Sequence, residues 1–188
     1  MQCVNREKLL SYILEIGDFV DLYEKRDPRF VAEVILWMGA AEKTLKGLRL
    51  PLAGVISAER AKILAVVDGY RDPLVNGERM TTRKITLATA SIGLSTVQDE
   101  MRSTFREIDG KLDLWREKMA QFLAVATQRA PITLPPTEPR EAWLAKTWAD
   151  LNIDGETQGM YRYLNAAMQP TDRLYILNEV IENLLGPQ

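Results

Sequence analysis

The fold is decided by residues 82–128, which read TRKITLATASIGLSTVQDEMRSTFREIDGKLDLWREKMAQFLAVATQ. Apolar side chains recur along this stretch at alternating steps of three and four residues, with one four-four step from Val97 through Met101 to Phe105. Such spacing places them on one stripe of an α-helix. The stripe, called the apolar seam below, consists of Ala90, Leu94, Val97, Met101, Phe105, Ile108, Leu112, Trp115, Met119, Phe122 and Ala126.

The seam continues on both sides of Gly110, which places this glycine on the outer face of one continuous helix. We therefore predict a single helix over 82–128, on the order of 70 Å long at about 1.5 Å per residue. A helix of this length is more than a compact domain of this size can cover on all sides. Part of it should then meet a protein partner or a second copy of the chain, unless the seam is simply the core of the monomer.

Three shorter helices are predicted before the long one, at about residues 5–25, 28–46 and 58–70. Asp27 followed by Pro28 is a start signal for the second helix, and Ser57 is the predicted N-cap of the third. From Phe30 to Ala41 only Glu33 is charged, so the second helix is expected to be central and buried on nearly all sides.

The C-terminal part begins after residues 130–139, APITLPPTEP, whose four prolines predict an extended linker. Helices are expected at about 138–151, 156–168 and 172–185. A unit of this size, residues 140–188, folds only marginally alone, so it should dock on the long helix. The predicted fold is all-α: a helical bundle over 1–129 built around one helix of about 45 residues, with a small three-helix unit docked on it.

Composition excludes several functions. The chain has 188 residues, no histidine and one cysteine, Cys3. Without histidine there is no His-based acid–base catalysis, no His-containing nucleophilic triad and almost no zinc chemistry. We therefore expect no enzyme, no cofactor and no metal site. Charged residues interrupt the N-terminal apolar stretch, so we expect a protein that does not enter the membrane. Cys3 is predicted to lie in a mobile terminus and cannot form an internal disulfide, so we expect a cytoplasmic protein.

Two groups of residues are candidates for a protein interface. Leu10, Leu14 and Leu22 interrupt the charged face of the first helix, which leaves either an apolar stripe for a partner or a surface that another helix covers. The aromatic group has the composition of an interaction hot spot, although its members could equally dock the C-terminal unit on its own chain. It comprises Trp115, Trp143, Trp148, Tyr161 and Tyr163.

The leading hypothesis is therefore a non-catalytic helical adaptor or accessory subunit that binds a protein partner or forms a homo-oligomer. Residues 43–84 hold nine basic and four acidic side chains, so an alternative is a nucleic-acid-binding subunit that uses Arg79, Arg83 and Lys84. A second alternative is a Mg²⁺-dependent phosphohydrolase that uses the first-helix carboxylates Glu15 and Asp18. Their place on the charged side of that helix favours a solvated surface instead.

Overall fold

A computed structural model describes residues 1–70, 81–128, 132, 140–153, 155 and 157–185, without the side chains of Ile153 and Leu185. Within these residues the chain forms seven α-helices, one short 3-10 helix and no strand, so the all-α prediction is confirmed. The elements are α1 (Gln2–Glu24), α2 (Phe30–Gly47), α3 (Leu52–Val67), α4 (Thr82–Ala126), α5 (Arg140–Asp150), the 3-10 helix Leu151–Ile153, α6 (Gln158–Ala167) and α7 (Pro170–Leu185). None of the described helices is long and apolar enough to cross a membrane.

The chain divides into two compact units, and the division falls within α4. One is Asn5–Glu107, called the N-terminal unit. The other, the C-terminal unit, comprises Met1–Val4 together with Ile108–Gln188. The domain limits predicted from the sequence, 1–129 and 140–188, remain a prediction. The proline-rich linker between them lies outside the described residues apart from Ile132.

The long helix ends within two residues of its predicted limit and passes through Gly110 without a break. Gly110 is exposed, and a Cβ atom built on it meets nothing within 4 Å, which confirms its predicted outer-face position. Of the apolar seam, only Phe105 and Trp115 are half-buried, and the other members are buried by the chain itself. The seam is therefore core, and the long helix does not present it to a partner.

The third helix begins at Leu52, six residues before the predicted start, so the assignment of Ser57 as its N-cap was wrong. Pro51 precedes the first helical residue with a φ of −57°, which already suits a helix. Leu52, Ala53 and Ile56 are buried, and their packing outweighs the poor helix propensity of the neighbouring glycine. The second helix begins two residues later than predicted, with Asp27 Oδ1 accepting the backbone N–H of Arg29 at 2.9 Å.

In the N-terminal unit, α1 and α2 run antiparallel. Tyr12 donates its hydroxyl to Thr44 Oγ1 at 2.8 Å, and one turn further along α1 Glu15 Oε2 accepts the indole N–H of Trp37 at 2.9 Å. Phe19 packs on the same indole, with ring centroids 5.4 Å apart. The contact on α2 thus moves toward its start as α1 advances, which fixes the relative direction and register of the two helices.

The C-terminal unit packs α5 and α7 against each other and anchors α7 on α4. Arg116 of α4 donates to Glu179 of α7 at 2.9 Å, and Arg140 of α5 donates to Asn178 of α7 at 2.6 Å. The predicted docking of the C-terminal helices on the long helix is therefore confirmed.

Candidate interaction surfaces

The most exposed large apolar side chains of the described residues lie on α1 and α2. Leu14 is 69% exposed and Leu36 is 68% exposed. Each stands one residue before a member of the Glu15–Trp37 hydrogen bond that joins the two helices. Because side chains turn by about 100° per residue and the helices run in opposite directions, one step back on each helix turns both leucines to the same side of the pair.

Two alanines extend this apolar surface. Ala32 and Ala40 stand four residues before and after Leu36, so they share its face of α2, and both are exposed. We call the surface formed by Leu14, Ala32, Leu36 and Ala40 the Leu14–Leu36 face. The other two leucines predicted for an interface, Leu10 and Leu22, are half-buried.

The expectation that the second helix is buried on nearly all sides was wrong. Its inward side is buried at Val34, Trp37, Met38 and Ala41, but Leu36 and its flanking alanines are open. Nothing in the described part of the N-terminal unit covers this side of α2. The apolar character of the whole segment concealed the difference, because periodicity cannot separate a buried face from an open one when both carry apolar residues.

An acidic groove of about 300 Å³ lies between α1 and α2, and two of its lining residues, Glu15 and Glu33, directly follow Leu14 and Ala32 in the chain. Its charged lining is Glu15, Asp18 and Glu33 with a single cation, Arg29. Arg29 is already engaged by Asp27, whose carboxylate accepts its guanidinium N–H at 2.7 Å. This groove therefore presents a negative surface beside an apolar one.

The groove contains the residues proposed for Mg²⁺ binding, but Glu15 has other partners. Its carboxylate accepts Trp37 Nε1 at 2.9 Å and Ser11 Oγ at 3.4 Å, and so helps to hold α1 against α2. Among the described residues no three acidic or cysteine side chains come together as a metal-binding group. The phosphohydrolase alternative remains a prediction, and no described contact favours it.

The described cations of the basic segment 43–84 do not lie on one surface. Lys43, Lys46 and Arg49 lie at the C-terminal end of α2, whereas Arg83 and Lys84 share a cavity with Pro28 and Val31 at its N-terminal end. Along α2 the rise from Val31 is about 18 Å to Lys43 and about 22 Å to Lys46, which separates the two groups. Two further cations are neutralised locally, Arg60 by Glu42 at 3.4 Å and Lys62 by Glu59 at 2.6 Å. Arg79 lies outside the described residues, and the nucleic-acid alternative remains a prediction.

The cavity with Arg83 and Lys84, called the Arg83 cleft, has a volume of about 970 Å³. It is formed by the turn between α1 and α2, the end of α3 and the beginning of α4. Arg26, on the α1–α2 turn, is a third cation in its lining, and Val31, Val67 and Leu87 contribute apolar walls. Arg26 was not predicted from the sequence because no local pattern determines the orientation of a side chain in a turn.

The predicted aromatic candidates are mostly internal. Trp143 and Trp148 are buried, and Tyr161 stacks on Trp148 with ring centroids 4.7 Å apart and planes at 18°. Trp148 also donates its indole N–H to Asn165 at 3.2 Å. Of the four candidates Trp143, Trp148, Tyr161 and Tyr163, only Tyr163 is exposed, at 45%. Of the two uses considered for this group, packing inside the chain accounts for Trp143, Trp148 and Tyr161.

No protein-family model matches this chain, and neither does any curated protein or solved structure.

Proposed function

We propose that this chain is a non-catalytic helical adaptor or accessory subunit that binds a protein partner through the Leu14–Leu36 face. The observation that carries the proposal is the exposure of Leu14 and Leu36, 69% and 68%, on the same side of the paired helices α1 and α2. Large apolar side chains that stand together in water, next to charged groups, are typical of a protein-binding surface.

The charge beside this face favours a particular kind of partner. Glu15, Asp18 and Glu33 outnumber the one cation of the acidic groove, so a partner segment with an apolar side chain flanked by lysine or arginine is complementary. A symmetric homodimer through the same face would place two acidic grooves near each other, because both copies use the same patch. A different protein is therefore a better occupant than a second copy.

Location and chemistry fit this role. The single cysteine of the chain forms no disulfide, which suits a reducing compartment, so the cytoplasm is the proposed site of action. The absence of histidine removes most routes to acid–base and nucleophilic catalysis.

The test compares three baits in quantitative affinity capture from the source cell. They are the wild-type chain, the double variant Leu14→Ser with Leu36→Ser, and Ile92→Ser, which changes a side chain that is 55% exposed on α4 of the same unit. We expect one protein to be enriched by the wild type and by Ile92→Ser, and not by the double variant. That protein should contain a segment in which an apolar side chain is flanked by lysine or arginine. Equal enrichment by all three baits would contradict the proposal.

Light scattering across a concentration series tests whether the Leu14–Leu36 face instead mediates self-association. A dimer that dissociates in the Leu14→Ser, Leu36→Ser variant would assign the face to self-association rather than to a different protein. A monomer in all three chains is the expected result.

A further inference from the structure

The Arg83 cleft shares no lining residue with the Leu14–Leu36 face, and its described lining contains three cations. Arg26, Arg83 and Lys84 come from two separate elements, the α1–α2 turn and the start of α4, yet they line one cavity. None of the three forms an ion pair with a described residue. Cations that converge without carboxylate partners leave their charge available to a ligand.

The acidic residues of the cleft do not cancel these cations. Asp27 is held by Arg29, which donates to it through Nε and Nη2 at 3.1 and 2.7 Å. These hydrogen bonds hold the pKa of Asp27 at about 2, so its charge is present at neutral pH and is matched by an arginine outside the cleft. Glu24 is then the one remaining carboxylate of the described lining, set against three cations.

Arg26 also occupies an unfavourable backbone position. Its φ of 54° lies in the left-handed region, where the backbone N–H of Asp27 bonds to Leu22 O at 2.9 Å to close the end of α1. Glycine is the usual residue at this position because it has no Cβ to clash. Arg49, with a φ of 57°, closes the end of α2 in the same way but lies outside the cleft.

The walls between the cations are apolar. Val31, Val67 and Leu87 line the cavity together with the ring of Tyr23, which is 42% exposed. A volume of about 970 Å³ is at the upper end of the range for small-molecule sites. The cleft thus combines room for an apolar body with a cationic group that matches a doubly charged anion.

We infer that the Arg83 cleft binds an organic phosphate monoester, with the phosphate held by Arg26, Arg83 and Lys84 and the organic group against the apolar walls. Three cations less the charge of Glu24 leave two positive charges, which a phosphate monoester balances at neutral pH. Arginine suits this contact because its planar donors match phosphate oxygens in pairs.

Isothermal titration calorimetry tests the inference with three probes: 1-naphthyl phosphate, 1-naphthol and inorganic phosphate. The ester should bind at least about tenfold more tightly than either of the others, because only the ester uses both halves of the cleft. Equal binding of the naphthol would reduce the cleft to an apolar pocket and overturn the inference. Failure of the ester to bind at millimolar concentration would overturn it as well.

Variants identify the residues. Arg83→Ala with Lys84→Ala should weaken binding of the ester by at least about tenfold. Arg26→Gly should weaken it too, while the relaxed backbone raises the melting temperature by about 2–4 °C. Arg49→Gly is the matched control. It should raise the melting temperature by the same amount and leave binding of the ester unchanged. If Arg49→Gly weakens binding as much as Arg26→Gly does, or if the Arg83, Lys84 double variant binds normally, the assignment is wrong.

Discussion

The carboxylate of Asp172 on α7 accepts the backbone N–H of Cys3 on α1 at 3.0 Å. It also accepts the backbone N–H of Gln2 at 2.7 Å and pairs with the ammonium group of Met1 at 2.9 Å. Because the first N–H groups of a helix have no partner within the helix, Asp172 serves as an N-cap supplied from the far end of the chain. This contact ties residues 1–4 to α7 within the C-terminal unit.

Asp172→Asn should destabilise the fold by about 1.5–3 kcal/mol, because a buried carboxylate that accepts several hydrogen bonds loses its charge. Urea unfolding followed by circular dichroism measures the change. Asp99→Asn, at an exposed position on α4, is the control and should change the free energy of unfolding by less than about 0.5 kcal/mol. Equal effects of the two substitutions would mean that the cap contributes nothing specific.

The effect of Asp172 should depend on pH. Burial raises the pKa of this carboxyl, but the hydrogen bonds from the terminal ammonium, Gln2 and Cys3 outweigh burial and leave the pKa below its ordinary value. A lowered folded-state pKa stabilises the fold above the unfolded pKa of about 4, and the stabilisation is lost as the pH falls through the folded pKa. The stability difference between wild type and Asp172→Asn should thus be constant from pH 7 to 5 and shrink below pH 4. A difference that grows on acidification would contradict this reading.

Cys3 should be chemically inert in the folded chain. The sequence suggested a mobile terminus, which was wrong: Cys3 lies in α1 and is 7% exposed. Burial raises its pKa to about 12, and the negative charge of Asp172 acts in the same direction. Since only the thiolate reacts, labelling by a disulfide reagent at pH 8 should be at least about 100-fold slower in the native than in the urea-unfolded chain.

The same thiol should weaken the fold at alkaline pH. Its stabilising effect is complete below the unfolded pKa of about 9 and is lost as the pH rises toward the folded value of about 12. Cys3→Ala should remove this alkaline dependence, and a variant that retains it would assign the loss to other groups. Labelling that is equally fast in the native and the unfolded chain would show that the terminus opens freely.

The extent of α4 was predictable because its seam repeats over many turns, and such a pattern averages out local ambiguity. The beginning of α1 was not. The group that caps Gln2 stands 170 residues away in the sequence, so no local signal could extend the helix back to Gln2. At α3, the local signals disagreed, and Pro51 with the buried residues after it decided the start rather than Ser57.

The candidate surfaces could be predicted only in part, because they depend on contacts between residues far apart in the sequence. Leu14 was found because it interrupts a charged helical face. Leu36 was missed because it is surrounded by apolar residues, and only the register of α2 against α1 distinguishes its outward direction. The Arg83 cleft joins residues about 60 positions apart in the sequence, and tertiary packing alone brings them together.

Gly110→Ala should stabilise the chain by about 0.5–1 kcal/mol. The glycine lies inside α4 with open space where a Cβ would stand, so alanine adds helix propensity without a clash. Gly69→Ala is the opposite control, because Gly69 has a φ of 98° at the end of α3 and any side chain there is strained. Thermal unfolding of both variants should give shifts of opposite sign, and a loss of stability in Gly110→Ala would refute a regular helix at this point.

Trp148→Ala should cost about 3–5 kcal/mol, because a buried indole leaves a large cavity. Its ring lies against Tyr161 and Phe122, and the guanidinium of Arg173 stands 5.0 Å from the ring centroid. Tyr163 belongs to the same aromatic group but is 45% exposed. Tyr163→Ala should therefore lower the free energy of unfolding by less than about 1 kcal/mol. Urea titration separates the two, with Trp148→Phe as a milder variant if the alanine variant does not fold. A small loss of unfolding free energy in Trp148→Ala and a large loss in Tyr163→Ala would contradict this prediction. Tyr163 would then be the core residue, and Trp148 would be the one free to contact a partner.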